Sequence, residues 1–168
     1  MVTKYDVFEL AYKNRAPIKP IEVVKHFNKD EREYHNIHWF LRELVKENLL
    51  RKTKYGFEIE VGKKTELLYS LIQYSLRNNV NYNKLLDKNL AGFVSIALQR
   101  EEITSKDVDI NPRTLKKYVD VLYKYGLLLL ISERPLKVKV FYNIFLNNLL
   151  IYFGYKHLVI TGSSVNYL

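Results

Sequence analysis

A chain of 168 residues is long enough for one large or two small domains, and its 48% apolar and 14% aromatic content excludes a disordered polymer. It contains no cysteine, which excludes disulfides, thiolate metal sites and cysteine nucleophiles. Its 27 Lys and Arg against 18 Asp and Glu leave a net charge of +9, an excess that draws polyanions such as nucleic acid or an anionic membrane surface.

The first 13 residues read as an amphipathic helix, with Tyr5, Val7, Phe8, Leu10, Ala11 and Tyr12 on its apolar face. Charges run through it, so it is not a signal peptide. Ile18-Lys19-Pro20-Ile21 opens a second short helix, with Pro20 near its first turn and Ile21, Val24 and Phe27 on one face. Asn28-Lys29-Asp30 breaks the chain. A third helix follows to about Glu47, its stripe formed by Ile37, Phe40, Leu41, Leu44 and Val45. Residues 49–52 and 57–61 alternate as strands around a Tyr55-Gly56 turn. Residues 63–78 form a helix carrying Leu67, Leu68, Leu71, Ile72 and Leu76, rigid enough to be a connector or a dimer helix.

A second series begins near Tyr82. A helix is expected to run unbroken to about Gln99 on Leu85, Leu86, Leu90, Phe93, Val94, Ala97 and Leu98. Thr104, with Asp107 three residues on, has the form of a capping box opening a very short helix. Asn111 caps the next helix, Pro112 takes its first position, and Leu115, Tyr118, Val119 and Leu122 point inward. Residues 127–132 and 137–143 pair as strands around Glu133-Arg134-Pro135-Leu136. The remainder reads as a helix over 145–155, a strand over 157–161, and a Gly162-Ser163-Ser164 turn placed to start another helix.

The order helix, turn, strand, polar tip, strand therefore occurs twice, over 34–61 and over 111–143. This divides the chain into modules at 1–62 and 81–143, a connecting helix at 63–80 and a tail at 144–168. Charge is uneven: residues 1–62 hold 12 Lys and Arg against 10 Asp and Glu, and residues 63–143 hold 14 against 8. The second module is expected to hold polyanion more strongly.

A helix leading into a two-stranded hairpin on a basic protein is the layout of a winged helix. Asn111-Pro112-Arg113-Thr114-Leu115-Lys116-Lys117-Tyr118, followed by Tyr125-Gly126-Leu127-Leu128, resembles the winged helix-turn-helix transcriptional regulators of archaea and bacteria. Residues 37–50 are similar in apolar spacing, with Asn48 where that family usually has Gly. The resemblance covers about residues 4–143. It implies a mainly α fold with β-hairpin wings, and double-stranded DNA bound through the third helix of each module, commonly as a homodimer. Some members use the same fold for protein contacts, which makes an interaction scaffold the alternative.

In such a module the outward N-terminal side chains of the third helix meet base edges. Here these are Asn111, Arg113, Thr114, Lys116, Lys117 and Asp120. Arg grips guanine and Asn grips adenine with two bonds each, whereas Lys more often holds phosphate. The first module offers Tyr34, His35, Asn36, His38, Trp39 and Arg42, a less basic and more aromatic set. Hairpin-tip cations are Lys52 and Lys54, beside Tyr55, in one module, and Arg134, Lys137 and Lys139 in the other. They are placed to touch the flanking backbone, or simply to discourage edge pairing.

The strand, Gly-Ser, helix order of the tail resembles the opening of minimal nucleotidyltransferase domains, in which acidic metal ligands follow. No acidic residue follows Glu133 in this chain, so nothing there holds magnesium. The reading is therefore a non-enzymatic regulator without cofactor. A truncated nucleotidyltransferase's regulatory part remains a further alternative. His35 and His38 lie three residues apart, but no further ligand stands at metal spacing, so no metal site is expected. No apolar stretch is long enough to span a bilayer, and a cytoplasmic location is expected. Dimerisation is expected through the helix at 63–78 or the apolar tail at 145–153.

Overall fold

The computed structural model describes residues 1–155, 158–161 and 164–167, the last two stretches by their backbone. The protein is mainly helical, with small antiparallel β-hairpins. It divides into two compact units, Met1–Ile72 and Gln73–Leu168. The division falls inside the helix that the sequence reading assigns to a connector.

The first unit opens with α1 (Lys4–Asn14). A reciprocal cap starts this helix: the Thr3 amide donates to Asp6 at 2.7 Å, and the Asp6 amide donates back to the Thr3 hydroxyl. Next come α2 (Pro20–His26), a 3-10 turn (Glu31–Glu33) and α3 (Tyr34–Lys46). The hairpin of β1 (Leu50–Thr53) and β2 (Gly56–Ile59) follows, and then α4 (Lys63–Arg77). Val7, Phe8, Val23, Ile37, Leu41, Leu44, Leu50 and Phe57 are buried.

Two expectations need correction here. Ile18 is not helical. It pairs with Phe57 of β2, the Ile18 amide donating to the Phe57 carbonyl at 2.8 Å and the Phe57 amide returning a bond at 2.9 Å. The helix therefore begins at Pro20, where the missing amide costs nothing. The hairpin turn is Lys54-Tyr55, and Gly56 instead stands opposite Thr53 as the first residue of β2. The Ile18 segment crosses so close that a Cβ on Gly56 would lie 2.6 Å from the Ile18 carbonyl oxygen, and the backbone there has φ +146°. Both facts demand glycine.

The second unit contains α5 (Tyr82–Leu85), α6 (Lys88–Ala97), β3 (Ile103–Thr104) and α7 (Pro112–Lys124). These are followed by β4 (Leu128–Glu133), β5 (Leu136–Val140) and α8 (Ile144–Tyr152). Its sheet has the order β3-β5-β4, separate from the β1-β2 hairpin. The expected unbroken helix is broken at Leu86-Asp87. The Asp87 carboxylate accepts from the amides of Asn89 and Leu90, at 2.7 and 3.0 Å, and so caps a new helix.

The Thr104–Asp107 box also forms, with the Thr104 amide and hydroxyl each donating to Asp107 at 2.7 Å. It closes a turn after β3 and starts no helix. The second hairpin is thus preceded by α5, α6 and α7, with β3 in the place of the short helix expected after Thr104. The tail differs too: Leu158–Thr161 and Ser164–Tyr167 pair as an antiparallel hairpin, β6-β7, where a helix start was expected. His157, Gly162 and Ser163 lie outside the described residues.

The repeat is deeper than the sequence suggests. α3 and α7 are both 13 residues long. Each is followed by a left-handed residue, Asn48 (φ 57°) or Gly126 (φ 67°), and a buried Leu-Leu pair. In each, the amide of the first Leu reaches back to a helix carbonyl at 2.9 Å, Leu49 to Leu44 and Leu127 to Leu122. In each unit a segment ahead of the long helix pairs with the second hairpin strand, Ile18 with Phe57 and Ile103 with Val138. In each, a helix starts shortly after the hairpin: α4 or α8.

Candidate nucleic-acid interface

An exposed surface with four cations and one acid lies on α7. The Asn111 side chain accepts from the Arg113 amide at 3.0 Å and fixes the start of the helix. Leu115, Tyr118, Val119 and Leu122 are buried. Helical spacing then puts Arg113, Lys117, Asp120 and Lys124 along the opposite face, with Lys116 beside them, and all five are exposed. Thr114 is half-buried at the edge of this face. The first turn contains no acid. The positive end of the helix dipole there favours an anion. Lys124, seven residues on from Lys117, lies in the same stripe and adds a cation to those expected from the sequence.

The cap has a cost for one expected contact. Asn111 uses its side-chain oxygen on the helix, and gripping adenine with two bonds requires that same oxygen. Arg113 carries no such commitment among the described bonds.

Beside α7, the β4-β5 hairpin turns at Arg134-Pro135, and Arg134 is exposed. A groove of about 400 Å³ runs between helix and hairpin, lined by Pro112, Lys116, Asp120, Glu133 and Arg134 among others. Lys137, expected beside Arg134 as a tip cation, is instead half-buried and ion-paired with Glu102. Lys139 is exposed. Arg100 and Asp107 also pair, ahead of α7. Hydrogen bonds from Thr104 hold the Asp107 carboxyl below the usual range for aspartate. Burial pushes the Tyr118 hydroxyl up, helped by the Asp87 charge.

The equivalent face of α3 has different chemistry. His35, Trp39, Arg42 and Lys46 occupy the places of Arg113, Lys117, Asp120 and Lys124, and all are exposed, Trp39 by 57%. His38 is half-buried, stacked near the Tyr34 ring at 6.1 Å and edge-on to Phe57 at 6.0 Å. Asn36 donates to Glu33 at 3.0 Å. Three exposed acids, Asp30, Glu31 and Glu33, sit just before the helix and oppose a phosphate at its N-terminus. At the hairpin turn the Lys54 ammonium lies 4.9 Å from the Tyr55 ring, while Arg51 pairs across the hairpin with Glu58 at 2.7 Å.

Of the two surfaces expected to form a dimer, both are largely buried, although Leu76 of α4 is exposed. On α4, Leu68, Leu71 and Ile72 are buried, and on α8 so are Phe145, Leu146, Leu149 and Leu150. Among the described residues no group of three or more metal-ligating side chains gathers, and no helix is long and apolar enough to cross a membrane. No protein-family model, curated protein or solved structure matches this chain.

Proposed function

We infer that this chain is a tandem winged-helix protein that binds double-stranded DNA with sequence preference, as a transcriptional regulator and not as an enzyme. The observation that carries the reading is the exposed stripe of α7, where Arg113, Lys116, Lys117 and Lys124 outnumber the one acid, Asp120. The repeated order of helix, paired extended segment, long helix and hairpin supports it. In this reading Arg113 contacts a base, Lys116 and Lys117 hold phosphates, and Arg134 reaches the flanking backbone from the hairpin tip.

The test is selection of bound duplexes from a random pool, followed by titration of the selected and a scrambled site at several salt concentrations. The reading expects a preference for the selected site and steep weakening with salt. Equal and salt-insensitive affinity for both sites overturns it. A second reading applies to the first unit alone. The acids ahead of α3 and the exposed Trp39 suit a protein partner better than a phosphate backbone, because Trp and Arg are frequent anchors of protein interfaces.

A further inference from the structure

The two hairpins share a register but not an outer face. In the first unit Arg51 stands opposite Glu58, and the Glu60 amide bonds to the Leu49 carbonyl at 3.0 Å. In the second, Leu129 stands opposite Lys139, and the Phe141 amide bonds to the Leu127 carbonyl at 3.3 Å. Leu129, Lys139 and Phe141 therefore occupy the places of Arg51, Glu58 and Glu60. The next helix follows the same rule: α4 begins with exposed Lys63, and α8 begins with exposed Ile144.

One hairpin thus closes its outer face with an ion pair and a further acid, and its counterpart presents two apolar side chains beside Lys139 to water. The fold does not require them there, since the first unit builds the same hairpin without them. Leu129, Ile131, Phe141, Tyr142 and Ile144 are each 41–58% exposed. Clusters of that kind mark docking surfaces.

We propose that the outer face of the β4-β5 hairpin, with the start of α8, is a homodimer interface that packs against the same face of a second copy. Three aliphatic and two aromatic side chains, each exposed by about half, leave roughly 400–500 Å² on each copy. Two copies joined about a two-fold axis then bury on the order of 1,000 Å², about the threshold for a specific interface. A single apolar patch that meets itself across a two-fold axis is self-complementary. Packing is by the face and not by the edge of β4, because the register shift between Leu130 and Ser132 kinks that edge strand. Lys139, within the patch, lays its alkyl stem on the interface and carries its ammonium to the rim. The inference deepens the DNA-binding reading by giving each particle two α7 helices.

The test is sedimentation of the full chain without DNA over a wide concentration range, so its outcome is independent of whether DNA binds. Wild type is expected to move from the 20.0 kDa chain mass toward twice that value as concentration rises. The paired substitution Leu129→Arg with Lys139→Glu copies the Arg51–Glu58 pair and should leave a monomer with an unchanged circular dichroism spectrum. Phe141→Glu, made separately, should do the same and guards against misfolding of the pair. A wild-type monomer at every concentration overturns the proposal. So does a dimer that survives all these substitutions, since its interface then lies elsewhere.

Discussion

α3 and α7 are the same helix in length, burial pattern and ending, and they differ on the side that faces water. The α7 stripe carries Arg113, Lys117, Asp120 and Lys124, with Asp109 ahead of its Asn111 cap, whereas the α3 stripe carries His35, Trp39, Arg42 and Lys46 behind three acids. The inward residues, Ile37, Leu41 and Leu44 in one and Leu115, Val119 and Leu122 in the other, fix how each helix packs. They leave the outward positions at liberty. The pair therefore separates what the fold needs from what binding needs: a residue type kept at both places serves structure, and one changed between them serves function. The hairpins teach the same lesson, with Arg51 and Glu58 in one and Leu129 and Lys139 in the other.

The largest expected effect is structural and breaks one side of the comparison. Gly56→Ala should destabilise the first unit by about 2–3 kcal/mol, because it combines a positive φ with a backbone clash against Ile18. Thermal unfolding should show this loss, while duplex affinity at a temperature where the protein remains folded stays near wild type. A matching loss of affinity would tie the first unit to DNA.

Arg113→Ala should cost about 1–3 kcal/mol of affinity for the selected duplex and relax preference at one position. Fluorescence anisotropy against a panel of single-position variants of the site measures both. Lys117→Ala should cost less, weaken all sequences alike and flatten the salt slope by about one unit. If the two variants behave identically on every sequence, α7 holds the backbone without reading bases.

The smallest expected effect is in the turn that leads to α7. Thr104 lowers the Asp107 pKa in the folded protein, so the ionised form is favoured by folding. This contribution is complete above the ordinary aspartate value of about 4 and is lost as pH falls through the lower folded value. Asp107→Asn should therefore be less stable than wild type at pH 7, and the gap should narrow in acid. Denaturant midpoints of both proteins at neutral and acidic pH check the sign.

The part of the site carried by local chemistry was legible in the sequence. Asn111-Pro112 fixes where α7 starts, and its apolar spacing fixes which side chains face outward. Contacts set at a distance were not. Glu102 lies far from Lys137 in the chain, so nothing local announces the ion pair that draws this lysine away from the hairpin tip. β3 has two residues, too few for an alternating pattern, and the Thr104–Asp107 box reads the same whether a helix or a turn follows it. Asp87 sits within a run of apolar residues that continues the helical period, and only its capping bonds reveal the break. Ile18 looks like the start of a helix until Phe57 arrives to pair with it.

In the proposed function α7, and not α3, reads DNA. One measurement tests it most directly: anisotropy of a selected fluorescent duplex, titrated at fixed moderate salt with two matched double variants. Arg113→Ala with Lys117→Ala removes the α7 cations, and His35→Ala with Trp39→Ala removes their counterparts on α3. The expected result is a loss of at least about tenfold, or 1.4 kcal/mol, for the first pair and a change under about twofold for the second. Wild-type affinity in the first pair, or the larger loss in the second, contradicts it.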